Sequence, residues 1–535
     1  MALRPPRASA SRVRAPAPPP ASAPLSFPAP TGGWTEARTL GAGRAARTCE
    51  NMFPTTQGVR VRGGSTRSAN IGAAVKSMFS YRGATSKLFA ATTTAIYDIT
   101  ALDPVNVPAA SQSGLTAWYW STAQIATVGG EFLYAVNGSD AARLFNGTSW
   151  QTINGASTPS ITGIATNFLS YVWVFKNRLW FVEASSRRAW YLPVDSIGGA
   201  AQSVSLDGVF QRGGSLLFGA TWSADSGDGM DDRIVFVSSR GEVAVYEGSN
   251  PASAADWSIV GLYSMPAPRG PRCHVRAGGD ILIGTDTGLV SLQSVVEKDA
   301  SALETSAVTA PIETSWRANV IKGGLQPWEA VKLNAENMLL VTLPQGQKSC
   351  FVANIQTGAL AKYTGWDTQC ATVHDGKLYF GSSNGFVYAA ETGGDDDGAA
   401  YVARLSLAPS DAGSPGVFKT AGAIQATFLA ETEMTVQLSV VTDYLVEFPP
   451  SPTPTVPPAS TAALWGTAIW GVSRWGDDGF TDGALRPVWA TGWVSIGASG
   501  SVIAPQLQIT VHGPGRPSIE LLSFDVMIEG GTAMT

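Results

Sequence analysis

The residues of this chain with chemistry in them are three histidines, four cysteines and a few carboxylate clusters. His274, His374 and His512 stand far apart, each without a nearby His or Cys, so their spacing is not that of a metal-ligand set. The loops "DSGDGMDD" (225–232), "GDDDG" (394–398) and "DDGFTDG" (477–483) carry enough acid to suggest calcium. Against the calcium-loop pattern, Asp478, Asp482 and Gly483 fall at positions one, five and six. Phe480 then takes the third position, and Trp489 stands at the twelfth, where a bidentate Glu is required. These loops read as solvated turns, for which Asp and Gly are favoured.

Other motifs fail for want of context. "GAGRAA" (41–46) has the glycine spacing of a dinucleotide loop, but no strand–helix unit surrounds it. "NGS" at Asn137 and "NGT" at Asn146 match glycosylation sequons and sit where hairpin turns are expected. Asp98, Glu131, Asp232 and Glu242 are candidates for a carboxylate pair across a funnel, as glycoside hydrolysis needs; no short motif supports the pairing. Cys49, Cys273, Cys350 and Cys370 show no CxxC spacing. A bridge between neighbouring strands is one reading of Cys350 and Cys370; free buried thiols are the plainer expectation. No cofactor and no catalytic residue is assigned.

One short stretch poses a different question. In "NMFPTTQGVRVRGG" (51–64), a turn leads into Val59-Arg60-Val61-Arg62, and a glycine pair ends the run. Strand alternation puts the valines on one face and Arg60 and Arg62 on the other. Nucleic acid, a protein surface and water are the three things those arginines can face.

Composition narrows the choice. Of 535 residues, 44% are hydrophobic and only 14% charged, with a net charge of -5. Charged residues make up about 25% of an ordinary globular chain. A surface so poor in charge suits a protein that covers much of itself in an assembly, and the negative balance opposes broad binding to nucleic acid. The apolar run "LSYVWVF" (169–175) is far short of a membrane span. The first thirty residues carry arginines and no acid, but prolines interrupt any signal-peptide core. They read as an extended Pro/Ala-rich arm.

The elements that must position all of this come from a repeat. Seven stretches share one grammar of apolar strand, polar turn and returning strand, with first-strand centres at Leu88, Leu133, Leu179, Ile234, Ile281, Leu339 and Leu378. The spacing of 39 to 58 residues is that of a β-propeller with four-stranded blades. The expected fold is all-β: a propeller of about seven blades, an extended N-terminal arm and an additional C-terminal β domain. The organisation reads as an arm over 1–33, a lead-in segment with a short strand over 34–80, the propeller over 81–398, and a β-rich region over 399–535 with a Pro-rich loop at 447–460. A short helix or irregular stretch is expected between Trp34 and Phe53. Two strands are expected within 423–444 and three more within 493–531, after a Trp-rich stretch holding Trp465, Trp470 and Trp475.

At these two ends the chain resembles a known family. Asn51, Pro54, Gly58, Arg60, Arg62 and Gly63 resemble the segment that precedes the first blade in tail-nozzle (tail-hub) propellers of tailed bacteriophages. The stretch 491–531, with its Trp, Gly-rich turn, Ala-Pro step and closing glycines, is similar to that family's C-terminal strands. The Pro/Ala arm falls outside the pattern. The resemblance implies a structural virion protein without enzymatic activity. It implies a homo-oligomeric ring, six copies in that family, closing the distal end of a phage tail and then guiding the DNA out. Its partners would be itself, adaptor and other tail proteins, tail fibres, and genomic DNA that slides past without sequence-specific binding. Its place would be the virion, after assembly in the host cytoplasm, with no membrane span. On this reading Arg60, Arg62, Trp465, Trp470 and Trp475 belong to the subunit interface, the arginines facing an acidic surface of a neighbouring copy. The alternative is a carbohydrate-binding or glycoside-cleaving propeller with an acidic funnel.

Overall fold

The computed structural model describes residues 23–37, 44–223, 232–323, 328–343, 347–430, 435–445, 447–453 and 488–533. Among them strands dominate, and they form a β-propeller joined to a β-sandwich. All seven hairpins expected from the sequence pair as antiparallel strands. In each four-stranded blade they are the second and third strands.

Among the described residues there are six four-stranded blades, one fewer than the seven expected. They span 77–113, 121–153, 169–205, 216–264 and 329–364, and the last spans 370–390 with its outer strand supplied from elsewhere. The hairpin from Gly279 instead belongs to a three-stranded sheet over 274–291. After Leu289–Ser291 the chain turns directly into the helix Leu292–Glu297, whose first turn is capped by the Ser291 side chain. A helix therefore follows where the fourth strand was due. Further helices run over Leu303–Ser306 and Glu313–Gly323 before the next blade begins at Glu329. The hairpin grammar is blind to this substitution, because it concerns only the two middle strands.

Closure of the ring comes from the lead-in segment. Ser65–Asn70 pairs antiparallel with Phe386–Ala390 and completes the last blade. Residues more than 300 positions apart thus share one sheet, which ties the first blade to the last.

The second body is a two-sheet sandwich. One layer contains Tyr401–Leu407, Ile503–Val511 and Gln437–Thr442; the other contains Val417–Ala430, Ile519–Ala533 and Val494–Gly500. Leu405, Leu507 and Ile509 of the first layer meet Ile424, Phe428, Phe524 and Val526 of the second in one buried core. The strands expected near both ends of this region are all present. Within the arm, Ala23–Pro28 is an extended strand that pairs antiparallel with Ile519–Ala533. Residues 1–22 lie outside the described residues.

The propeller and sandwich are not merely tethered. Ala46–Glu50 pairs in parallel with Leu360–Thr364 of a blade and antiparallel with Tyr401–Leu407 of the sandwich. One eight-stranded sheet therefore runs through both bodies. The short helix or irregular stretch expected between Trp34 and Phe53 is replaced by the strands Ala46–Glu50 and Met52–Pro54. Edge pairing on both sides outweighs the local helical spacing.

The glycine pair after Arg62 passes against backbone rather than simply ending a strand. A methyl on Gly63 would overlap the Glu391 backbone, and one on Gly64 would overlap the Asp395 carbonyl. The Gly64 N–H donates to Gly393 O at 2.9 Å, so the two segments cannot part without losing hydrogen bonds. Gly64→Ala is expected to lower stability by about 2–3 kcal/mol, as overpacking does. A thermal melt within a degree of wild type would refute that close approach.

Candidate functional site

Two places concentrate polar and charged side chains: the joint between propeller and sandwich, and the axial cavity of the propeller.

The joint is built on the short strand Val59–Val61. Val59 and Val61 are fully buried in the sandwich core, while the arginines point the other way, towards the last two blades. Arg60 pairs with Glu336 at 2.5 Å and Glu391 at 3.0 Å. Arg516, from a sandwich loop, meets the same two acids at 2.8 and 2.9 Å. Burial alone would push the Glu391 carboxyl up; the Arg60 and Arg516 guanidiniums and the Gly63 N–H outweigh it and hold it at about 2.

Arg62 is 0% exposed. Its Nε donates to Asn51 Oδ1 at 2.9 Å. One terminal nitrogen donates to Gly63 O at 2.8 Å and Asp396 Oδ1 at 3.0 Å. The other donates to Thr364 O at 2.9 Å and Asp396 Oδ2 at 2.7 Å. All five guanidinium donors are thereby used, the Asp396 pair in bidentate form. The plane also lies 3.9 Å from the Tyr401 ring centroid and 4.8 Å from that of Trp366. Asn51 sits at φ 55, a conformation Asn tolerates better than most residues. Its amide bonds Thr364 Oγ1 and Val402 O, so a single side chain touches both bodies.

The interface expectation for the two arginines is therefore corrected. The acidic surface they meet belongs to their own chain, because ring closure brings residues 336 and 391–396 against the lead-in strand. Trp465, Trp470 and Trp475 lie outside the described residues. So do 225–231 and 477–483 of the acidic loops. In the loop 394–398, Asp396 and Asp397 are paired with Arg62 and Arg67. Among the described residues no cluster of His, Cys, Asp and Glu has the make-up of a metal site. All four cysteines are buried thiols, Cys350 and Cys370 included. Asn137 and Asn146 make side-chain turns in their hairpins, accepting from the N–H groups two and three residues on.

The axial cavity has a volume of about 480 Å3 and is lined by inner strands from several blades. One end is stitched shut. Arg272, in the loop before His274–Ala277, reaches across the ring to Ser77 Oγ at 2.9 Å and Trp120 O at 3.0 Å. It also stacks 3.8 Å from the Tyr119 ring centroid and lies 3.6 Å from Glu329 Oε1. Burial raises the Glu329 carboxyl above its usual range, against the pull of Arg272 and of the Ala371 N–H. Beside this floor, His274 stacks on Phe218 with centroids 4.3 Å apart and meets the Tyr171 hydroxyl at 3.3 Å. Burial lowers its pKa to about 4, so the ring is neutral at physiological pH.

Sequence reasoning missed Arg272, Glu329 and Tyr171 because they lie on or beside innermost strands, which precede the recognisable hairpins. The signal to look for is the short polar-and-apolar strand about ten residues upstream of each hairpin. Asp98, Glu131, Asp232 and Glu242 do not line the cavity. Asp98 instead pairs with Lys87 at 3.0 Å, and Glu242 accepts the N–H groups of Gln211 and Arg212.

Fold and site together define a ring-closed propeller with a blocked axis, fused through a shared sheet to a sandwich. No protein-family model matches the chain, and no curated protein matches it. Among solved structures it is similar to the computationally designed protein Ika8, with a TM-score of 0.36 and 9% identity over 61% of this chain and 98% of that one. It is also similar to PorZ, a surface component of the type-IX secretion system of Porphyromonas gingivalis, with 0.37 and 13% over 68% of this chain and 45% of that one. BBS1N, solved in complex with ARL6DN, gives 0.37 and 11% over 62% and 97%. Likeness at this level carries no inference about function.

Proposed function

We propose that this chain is a structural virion protein that forms a ring, of six copies, at the distal end of a phage tail, closing and then guiding the DNA exit channel. The observation that carries the proposal is the construction of the segment 51–64. The residues on which the family resemblance rests form the joint that makes propeller and sandwich one body. A subunit that must hold a channel closed against packaged DNA needs such a joint. The low charge of the chain suits copies that cover broad surfaces against each other. Its negative balance suits a wall that DNA slides past, since cationic walls bind phosphates. Because Arg272 and its partners cross the propeller's own axis, the DNA path in this proposal runs between copies. The protein has no catalytic role of its own here, acts in the virion, and partners itself and neighbouring tail proteins.

Native mass measurement followed by low-resolution imaging tests this reading. The expected result is a ring near six copies of the 55.8 kDa chain. A protein that stays monomeric at every concentration and cleaves a glycan overturns it.

A further inference from the structure

The axial cavity has features that the structural role does not use. Three cationic residues line it, Arg82, Arg272 and Lys332, against the single acid Glu329. Arg272 and Glu329 are committed to the floor and to each other. Arg82 and Lys332 are different: among the described residues neither side chain is paired with a carboxylate. Their height in the cavity follows from their strands. Ser77 and Glu329 start the inner strands Ser77–Tyr81 and Glu329–Leu333 at the floor. At roughly 3.3 Å per residue, Lys332 stands about 10 Å above Glu329, and Arg82 higher still above Ser77. The rim acid Asp375 is mostly exposed and lies 3.4 Å from His374 Nε2, an imidazole whose pKa burial lowers.

The wall between floor and rim is polar. Thr122 and Thr372 line it, next to the Ser80 hydroxyl, which is held by His374 at 2.8 Å, and Gln124, whose amide accepts from the Arg82 N–H and donates to the Arg82 carbonyl. The aromatic residues of the lining, Phe79, Trp120 and Tyr171, are buried in the blades and do not offer exposed faces for a sugar ring. A neutral glycan, which would rely on such faces, is therefore a poor match. Two cations without carboxylate partners above a hydroxyl-bearing wall match a carboxylate attached to a chain or ring of hydroxyls.

We infer that this cavity is a binding site for a small polyhydroxylated carboxylate of the sugar-acid class. Arg82 and Lys332 hold the carboxylate, the threonine hydroxyls face the ligand's hydroxyls, and Gln124 fixes the Arg82 backbone at the rim. The site belongs to each copy's own propeller and stands whether or not copies assemble into a ring.

Calorimetric titration of the full chain with D-glucuronate tests this, with D-glucose and inorganic phosphate as comparison probes. Saturable binding of one glucuronate per chain is expected, with glucose at least tenfold weaker. In the double variant Arg82→Ala/Lys332→Ala, glucuronate should bind at least tenfold more weakly while the melting temperature is unchanged. Absence of saturable glucuronate binding overturns the proposal, as does binding that the double variant leaves intact. Phosphate binding as tightly as glucuronate overturns the sugar-acid assignment, because the hydroxyl-facing wall would then contribute nothing.

Discussion

Arg62→Met is expected to destabilise the protein by about 3–5 kcal/mol, the cost of leaving one member of a buried ion pair without its partner. Methionine fills much of the space but abandons Asp396, Asn51 Oδ1 and the carbonyls of Gly63 and Thr364 together. Arg62→Lys retains the charge yet is expected to lose more than about 2 kcal/mol, because an ammonium has three donors where the site uses five. Adding Asp396→Asn to Arg62→Met should recover part of the loss by removing the stranded carboxylate. Chemical denaturation measures all three. Wild type should unfold in one transition, because the eight-stranded sheet and this joint couple the two bodies. In the Arg62 variants the transition should split, with the sandwich and propeller melting apart. An Arg62→Lys protein within about 0.5 kcal/mol of wild type would show that the fivefold hydrogen bonding contributes little beyond charge.

Acid should undo the same joint from the other side. Glu391 is held at about 2 in the folded chain, against an ordinary value of 4.5. A carboxylate with a depressed folded pKa contributes stability that is fully present above its unfolded value and is lost as pH falls through its folded value. The window is therefore pH 4.5 down to 2, and the contribution at stake is about 3 kcal/mol. Protonation leaves Arg60 and Arg516 sharing Glu336 alone. Glu391→Gln should lose most of this contribution at neutral pH and flatten the dependence between pH 4.5 and 2. Melting temperatures across that range give the measurement. Parallel curves for wild type and Glu391→Gln would mean that other carboxylates carry the acid sensitivity.

The two bodies also differ in how far the sequence announces them. Each blade hairpin was readable because its information is local: apolar alternation, a Gly/Asn/Asp/Ser turn, and a return strand within twenty residues. The inner and outer strands were not, since their apolar runs are short and their partners are chosen by the ring. The blade count slipped from seven to six for the same reason: the hairpin from Gly279 is present, but the helix Leu292–Glu297 follows it where a fourth strand was due.

The sequence by itself determined the all-β class, the propeller period, the second β region and the two-faced strand carrying Arg60 and Arg62. Alternation is a property of the extended backbone and needs no partner to be read. Only the tertiary structure decided what that strand faces. The valines found the sandwich core, and the arginines found acids some 280 to 330 residues away on blades that close against the lead-in segment. The stitching of the axis by Arg272 was decided in the same way, by contacts 152 to 196 residues apart. Pairings at such separations are set by where the ring closes, and ring closure leaves no local pattern in the residues it brings together.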